Sequence, residues 1–171
     1  MEVVRTNELI AEIFGREPIG LRMLAGFYRG MRGEPQILDI LWRNGIKFLS
    51  ADLRGPGDIL PSSLKEPFWY ADEGFPKLLE LPGHSWHDNV LKGYTEHPII
   101  WPSPPGFSYP PRPPRTAQEE FEVYRREIDY AIEVGFAYYS PVLHPWSLCR
   151  IDPGRGLWSC YYPMRRAGAC P

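Results

Sequence analysis

The spacing of apolar residues along the chain predicts an alternation of helices and strands. Three segments have the 3.6-residue spacing of amphipathic helices: 8–14, 34–43 and 116–134. Four short runs rich in apolar residues read as strands: 18–23, 46–50, 77–82 and 136–143. Gly26, Gly30 and Gly33 predict a loop between the first strand and the second helix.

The longest predicted helix, 116–134, carries clear start and stop signals. Thr116 is placed to cap its first turn, and Glu119 three residues later completes a capping-box pattern. Gly135 ends it. We expect its buried face to consist of six residues: Phe121, Tyr124, Ile128, Ala131, Ile132 and Val134.

Helices alternating with short strands are typical of an α/β architecture with parallel strands. The run 136–143 is apolar on both faces, which suits a strand buried inside such a sheet. Four strands are too few to close an eight-stranded barrel, so we expect a partial sheet. We place one domain at 1–152 and an irregular tail rich in Gly, Pro, Cys and Arg at 153–171.

Composition narrows the possible partners. The chain has 171 residues and a formal charge of −2, which gives no electrostatic reason to expect nucleic acid or an anionic membrane as a partner. No signal peptide is visible, which favours the cytosol and leaves export open if Met1 is not the natural start. We interpret Cys149, Cys160 and Cys170 as incidental thiols, because their spacing matches no metal or redox motif.

His144 is the first candidate for chemistry. It follows the apolar run 136–143 and precedes Pro145, and the end of a strand is where a rigid element meets an open loop. Imidazole donates and accepts protons near neutral pH. A hydrogen-bonded structural histidine is the alternative.

Three segments then line up along the chain with known motifs. The first is Gly-Leu-Arg-Met at 20–23, followed later in the sequence by the segment 38–47. The second reads Glu-Leu-Pro-Gly-His-Ser-Trp-His-Asp at 80–88, and the third reads Val-Leu-His-Pro-Trp at 142–146. In this order they resemble the C-terminal half of the polysaccharide deacetylase family, the metal-dependent carbohydrate esterases.

The resemblance implies a partial (β/α) barrel and hydrolysis of N-acetyl groups from amino-sugar polymers or related small amides. It implies that His144 donates a proton to the leaving amine and that Arg22 orients the catalytic aspartate. Trp86 and Asp88 correspond to the aromatic residue and the acid of the fourth motif. Leu24 stands where the family usually has proline. A carboxylate such as Asp88 would favour a protonated His144.

The family's metal, usually zinc, depends on motifs that this sequence does not contain. Neither the Asp-Asp pair of the first motif nor the two histidines of the second occurs here. We therefore expect a barrel that lacks its N-terminal strands, no tight zinc binding and an incomplete, inactive fragment. An exposed sheet edge would also favour self-association.

Several residues have a second interpretation. Arg22 can be an ordinary ion-pairing arginine, Trp86 a core aromatic, and Asp88 a turn residue. His84 and His87 could form a metal pair, although no third ligand is evident, and His97 reads as a loop residue.

A non-enzymatic carbohydrate-binding or interaction module is the second hypothesis for the whole chain. Trp86 and Trp146 offer flat faces that suit sugar rings. The proline-rich run at 101–114 and further aromatic residues support the same hypothesis: Trp69, Tyr70 and Trp101.

Overall fold

The computed structural model describes residues 2–93, 112–145 and 147. The chain divides into two compact units. Unit 1 comprises Met1–Asp58 and Lys65–Gly83, and unit 2 comprises Ile59–Leu64 and His84–Pro171. The tail expected at 153–171, the three cysteines, His97 and Trp146 all lie outside the described residues.

Unit 1 contains a four-stranded open sheet. Its strands, in chain order, are β1 (Gly20–Phe27), β2 (Phe48–Asp52), β3 (Phe68–Tyr70) and β4 (Phe75–Glu80). Their spatial order is β1-β2-β4-β3. β1 and β4 both pair in parallel with β2, whereas β3 runs antiparallel to β4. The predicted mixed α/β class is confirmed, and the described strands form an open sheet rather than a closed barrel.

Two helices belong to this unit, α1 (Glu2–Phe14) and α2 (Pro35–Arg43). Pro35 occupies the first turn of α2, where its missing N–H costs no helical hydrogen bond. The core between α2 and the sheet is apolar and fully buried: Met31, Leu38, Leu41, Ile46, Leu49, Ala51, Tyr70 and Leu78.

Two features of unit 1 differ from the prediction. β1 continues to Phe27, past the glycine expected to begin a loop; Gly26 has φ +66°, and a Cβ there would lie 2.3 Å from that of Leu53. β3 was not predicted, because three residues are too few to show a period.

Unit 2 contains the short helix α3 (Asp88–Leu91) and the long helix α4 (Ala117–Glu133). Thr116 caps α4 as predicted, since its hydroxyl accepts from the amide of Glu119. The Glu119 carboxylate accepts from the amide of Arg115 and binds Arg112, so the capping box is only half formed. The Arg112 hydrogen bond lowers the pKa of Glu119 to about 2.

The predicted buried face of α4 is partly wrong. Phe121, Tyr124 and Ala131 are buried and Ile128 is half-buried, but Ile132 is 68% exposed and Val134 is exposed as well. Two glutamates that were not expected on this face are also buried, Glu120 and Glu127. The core of unit 2 is made of Leu60, Trp86, Val90, Leu91, Val123 and Tyr124.

The predicted strand 136–143 is also wrong. Among the described residues this segment makes a single isolated bridge, from Pro141 to His84. Proline has no N–H to donate to a ladder, so the run at Pro141 cannot pair as a central strand. None of the helices in the described part of the chain is long and apolar enough to cross a lipid bilayer.

Candidate functional site

Asp88 and His144, 56 residues apart in sequence, meet in unit 2. Asp88 begins α3, and its own amide donates to the carbonyl of Val142 at 3.2 Å. One carboxylate oxygen accepts from the amide of His144 at 2.8 Å. The other lies 2.5 Å from the Nδ1 atom of His144. Backbone and side-chain bonds therefore hold the imidazole in one place.

The two side chains of the pair differ in their exposure to solvent. The Asp88 side chain is fully buried, whereas that of His144 is 35% exposed. An ionised carboxylate can only accept, so Nδ1 of His144 carries the proton in this contact. Proton exchange with a substrate would then pass through Nε2. Asn89 donates its amide to Asp88 at 2.9 Å, which further fixes the carboxylate.

Arg22 lies in unit 1, on strand β1. Its guanidinium donates to the hydroxyl of Ser50 on the neighbouring strand β2, at 3.1 Å. This contact fixes the side chain along the sheet. Its predicted role toward a catalytic aspartate stays a prediction.

The two tryptophans predicted to bind a sugar have different outcomes. Trp86 is 0% exposed and packs in the core of unit 2, so neither face of its ring is open to a ligand. This is the core position considered as its alternative. Trp146 lies outside the described residues.

His84 is a structural histidine. Its Nδ1 atom accepts from the amide of Ser140 at 3.1 Å, and its ring stacks on Tyr139 and meets Tyr138 edge-on. His87 occupies the N-cap position of α3, where its side chain makes no capping hydrogen bond. Within residues 2–93, 112–145 and 147, no group of three or more His, Cys, Asp or Glu side chains is placed to hold a metal ion. These residues do not fit a zinc site.

Sequence reasoning missed two buried acids on α4. Glu120 lies 3.0 Å from the ammonium of Lys92, and both side chains are fully buried. Lys92 also donates to the hydroxyl of Ser147 at 2.8 Å. The signal was present in the sequence: Glu120 stands beside Phe121 on the apolar face of the helix, where a charged residue needs a partner.

Glu127, seven residues later, is the second buried acid. The hydroxyl of Tyr139 donates to its carboxyl at 2.6 Å. Burial raises the pKa of Glu127 from its ordinary value to about 8, against the opposing hydrogen bonds of Ser85 and Tyr139. Glu127 therefore keeps its proton at neutral pH.

Tyr124 lies among these acids. Its hydroxyl is buried and has no hydrogen-bond partner within the described residues. Burial raises its pKa, and the nearby charges of Glu120 and Asp88 raise it further. Unit 2 thus contains two buried groups with raised pKa values, Tyr124 and Glu127.

No protein-family model matches the sequence, and no curated protein does. Function is therefore inferred from the residues and their geometry. The strongest element of that geometry is the contact between Asp88 and His144.

Proposed function

We propose that this chain supplies the proton-donating part of a hydrolase of the polysaccharide deacetylase type. Such an enzyme removes N-acetyl groups from amino-sugar polymers or related small amides. One observation carries the proposal: the exposed imidazole of His144 is fixed by the buried carboxylate of Asp88 at 2.5 Å.

The chemistry assigned to the pair is general acid catalysis. Cleavage of an amide expels an amine, which leaves readily only when it is protonated. His144 would give that proton from Nε2, while Asp88 holds the ring orientation and stabilises the imidazolium. A positioned general acid contributes roughly 10²–10⁴-fold to a rate.

A divalent metal supplies the activated water in such a hydrolase. The described residues do not form a site for it, so the role proposed for this chain is limited to proton transfer and positioning. The partial barrel of the deacetylase type belongs to the same proposal. The parallel pairing of β1 and β4 with β2 in an open sheet supports it.

The test is acetate release from N-acetylated glucosamine oligomers, with and without added Zn²⁺. It compares the chain alone with the longest open reading frame that contains it. We expect no release by the chain alone. In the active form, His144→Ala should lower kcat about 10²–10⁴-fold and change KM little, because the proton is needed in the transition state.

Asp88→Asn should also lower kcat, because an amide cannot hold the imidazolium as a carboxylate does. Asp39→Asn is the matched control, since Asp39 is a half-exposed acid on α2 whose partner is Arg43. Full activity of the His144→Ala protein would defeat the assignment of the acid. Rapid metal-dependent release by the chain alone would defeat its role as one part of a site.

A non-enzymatic carbohydrate-binding module is the second candidate. The observation in its favour is an exposed aromatic side chain, since Trp69 is 54% exposed. Under this candidate, the oligomers bind to the chain, binding survives His144→Ala, and no form releases acetate.

A further inference from the structure

A small cleft lies in unit 1, beside the carboxyl end of β2. Its volume is about 240 Å³, and six residues line it: Tyr28, Arg29, Arg32, Asp52, Lys65 and Phe68. Ligands of open parallel sheets bind at the carboxyl ends of the strands, because the loops there are free to vary while the strands stay rigid. A larger apolar hollow beside α1 carries no comparable set of polar groups.

The charge of this cleft is unbalanced. Three cations line it against one carboxylate. Asp52 is already engaged, because both of its oxygens bind the ammonium of Lys65, at 2.6 and 2.8 Å. Among the described residues, Arg29 and Arg32 lie in no ion pair. The cleft therefore has two guanidinium groups that form no ion pair with an acid in the described part of the chain.

The loop that carries these arginines is held by side chains around it. The amide of Arg29 donates to Asp52 at 3.2 Å, and the amide of Met31 donates to the Tyr70 hydroxyl at 2.9 Å. The amide of Gly33 donates to Glu73 at 3.1 Å. Arg29 has φ +71°, a left-handed conformation that non-glycine residues adopt only when their surroundings enforce it.

Arg32 is oriented by an aromatic ring. Its guanidinium carbon lies 4.3 Å from the centre of the Phe68 ring. Stacking uses the flat face of a guanidinium and leaves the N–H groups at its edge directed outward. Those donors match the two oxygens of a carboxylate or a phosphate.

We propose that this cleft binds the oxyanion of a small acidic ligand, such as the carboxylate of a uronic acid or a phosphate group. Arg29 and Arg32 bind the anion, and Lys65 adds charge while Asp52 positions it. The volume is below the roughly 300 Å³ at which drug-sized pockets begin, so the ligand is about one sugar ring or smaller. This site is independent of the proposed hydrolase function.

The test is calorimetric titration of the chain with glucuronate, inorganic phosphate and glucose. We expect at least one of the two anions to bind, glucose not to bind, and affinity to fall as NaCl is raised. Arg29→Gln and Arg32→Gln should each weaken binding about 10-fold. Arg32→Lys keeps the positive charge and loses the planar set of N–H donors that can bind two oxygens at once. The affinity of this variant should lie between those of the wild type and Arg32→Gln.

Arg43→Gln is the matched control, because Arg43 is an exposed arginine on α2, paired with Asp39. It should leave binding unchanged. Binding of only one anion identifies the source of the oxyanion and supports the proposal. The proposal is overturned if neither anion binds at tens of millimolar, if glucose binds as well as glucuronate, or if Arg43→Gln weakens binding as much as Arg32→Gln. Thermal unfolding of each variant checks that the fold is kept.

Discussion

The buried glutamate of the sheet in unit 1 and the buried acids of unit 2 have different kinds of partner. In unit 1, the Glu80 carboxylate accepts from the amides of Ala51 and Asp52, at 2.6 and 2.8 Å, and from the Tyr70 hydroxyl at 2.5 Å. In unit 2, two of the buried acids have a basic side chain as a partner. Glu120 meets the ammonium of Lys92, and Asp88 meets the imidazole of His144 as well as backbone amides.

This difference separates two uses of a buried acid. A carboxylate bound to backbone amides fixes the path of the chain, and Glu80 does this where β2 ends. A carboxylate bound to a basic side chain fixes the position of that side chain instead, which is the arrangement of Asp88 with His144.

The largest predicted effect is a loss of folding stability when the buried ion pair of unit 2, between Lys92 and Glu120, is broken. Lys92→Met leaves the Glu120 charge buried beside an apolar side chain, and we expect it to destabilise the fold by about 3–5 kcal/mol. Lys65→Met in unit 1 should cost only about 1–2 kcal/mol, because Lys65 is partly exposed and Asp52 still accepts from the amide of Arg29. Urea unfolding of both variants gives the comparison.

The double variant Lys92→Met/Glu120→Leu is the control for this prediction. Removing both charges should restore most of the stability, since an apolar pair of similar size needs no desolvation of ions. Equal losses in Lys92→Met and Lys65→Met would contradict the contrast between the units.

The second prediction concerns the pH dependence of folding stability, to which the buried Glu127 of unit 2 contributes. Its pKa is about 8 in the folded chain and about 4.5 in the unfolded chain. Below 4.5 both states are protonated and the contribution to stability is complete. Above 4.5 the unfolded chain loses the proton that the folded chain still holds, so stability falls as pH rises, and the loss is complete above 8 with a total on the order of 5 kcal/mol.

Glu127→Gln cannot titrate, and we expect it to remove this part of the pH dependence. Urea unfolding of the wild type and the variant at pH 5, 7 and 9 measures the effect. The stability of the variant relative to the wild type should rise with pH. A difference that stays constant from pH 5 to pH 9 would show that Glu127 does not hold its proton.

The smallest predicted effect is at the start of α4. Thr116→Ala removes the hydroxyl that accepts from Glu119, and should cost about 1 kcal/mol. Thr6→Ala is the control, because Thr6 is an exposed residue inside α1, where alanine is the better helix former. A stabilising Thr116→Ala would contradict the observed cap.

Local features of the chain were predictable from sequence because their causes are local. The Pro35 start of α2 and the Thr116 cap of α4 depend on neighbouring residues alone. The strand at 46–50 was predicted close to its observed place, Phe48–Asp52. The strand predicted at 136–143 was wrong because strand pairing is not a local property. Apolar composition suggested a strand, but it could not show whether a neighbouring strand was there to pair with it.

The candidate site was predictable only in part. The order of the motifs singled out Asp88 and His144, but it did not supply the 2.5 Å contact between them, which depends on how chain segments 56 residues apart come together. The cleft around Arg29 and Arg32 was not anticipated, since its charge balance depends on the pairing of Asp52 with Lys65.

By itself, the sequence determined the main helices, the Thr116 cap and the mixed α/β class, since each follows from interactions within a few residues. Only the tertiary structure decided which polar residues are buried. Glu120 and Glu127 lie on the apolar face of α4 because Lys92 and Tyr139 meet them there. A buried polar or charged group is stable only with a partner, and a partner brought from elsewhere in the chain is a property of the fold.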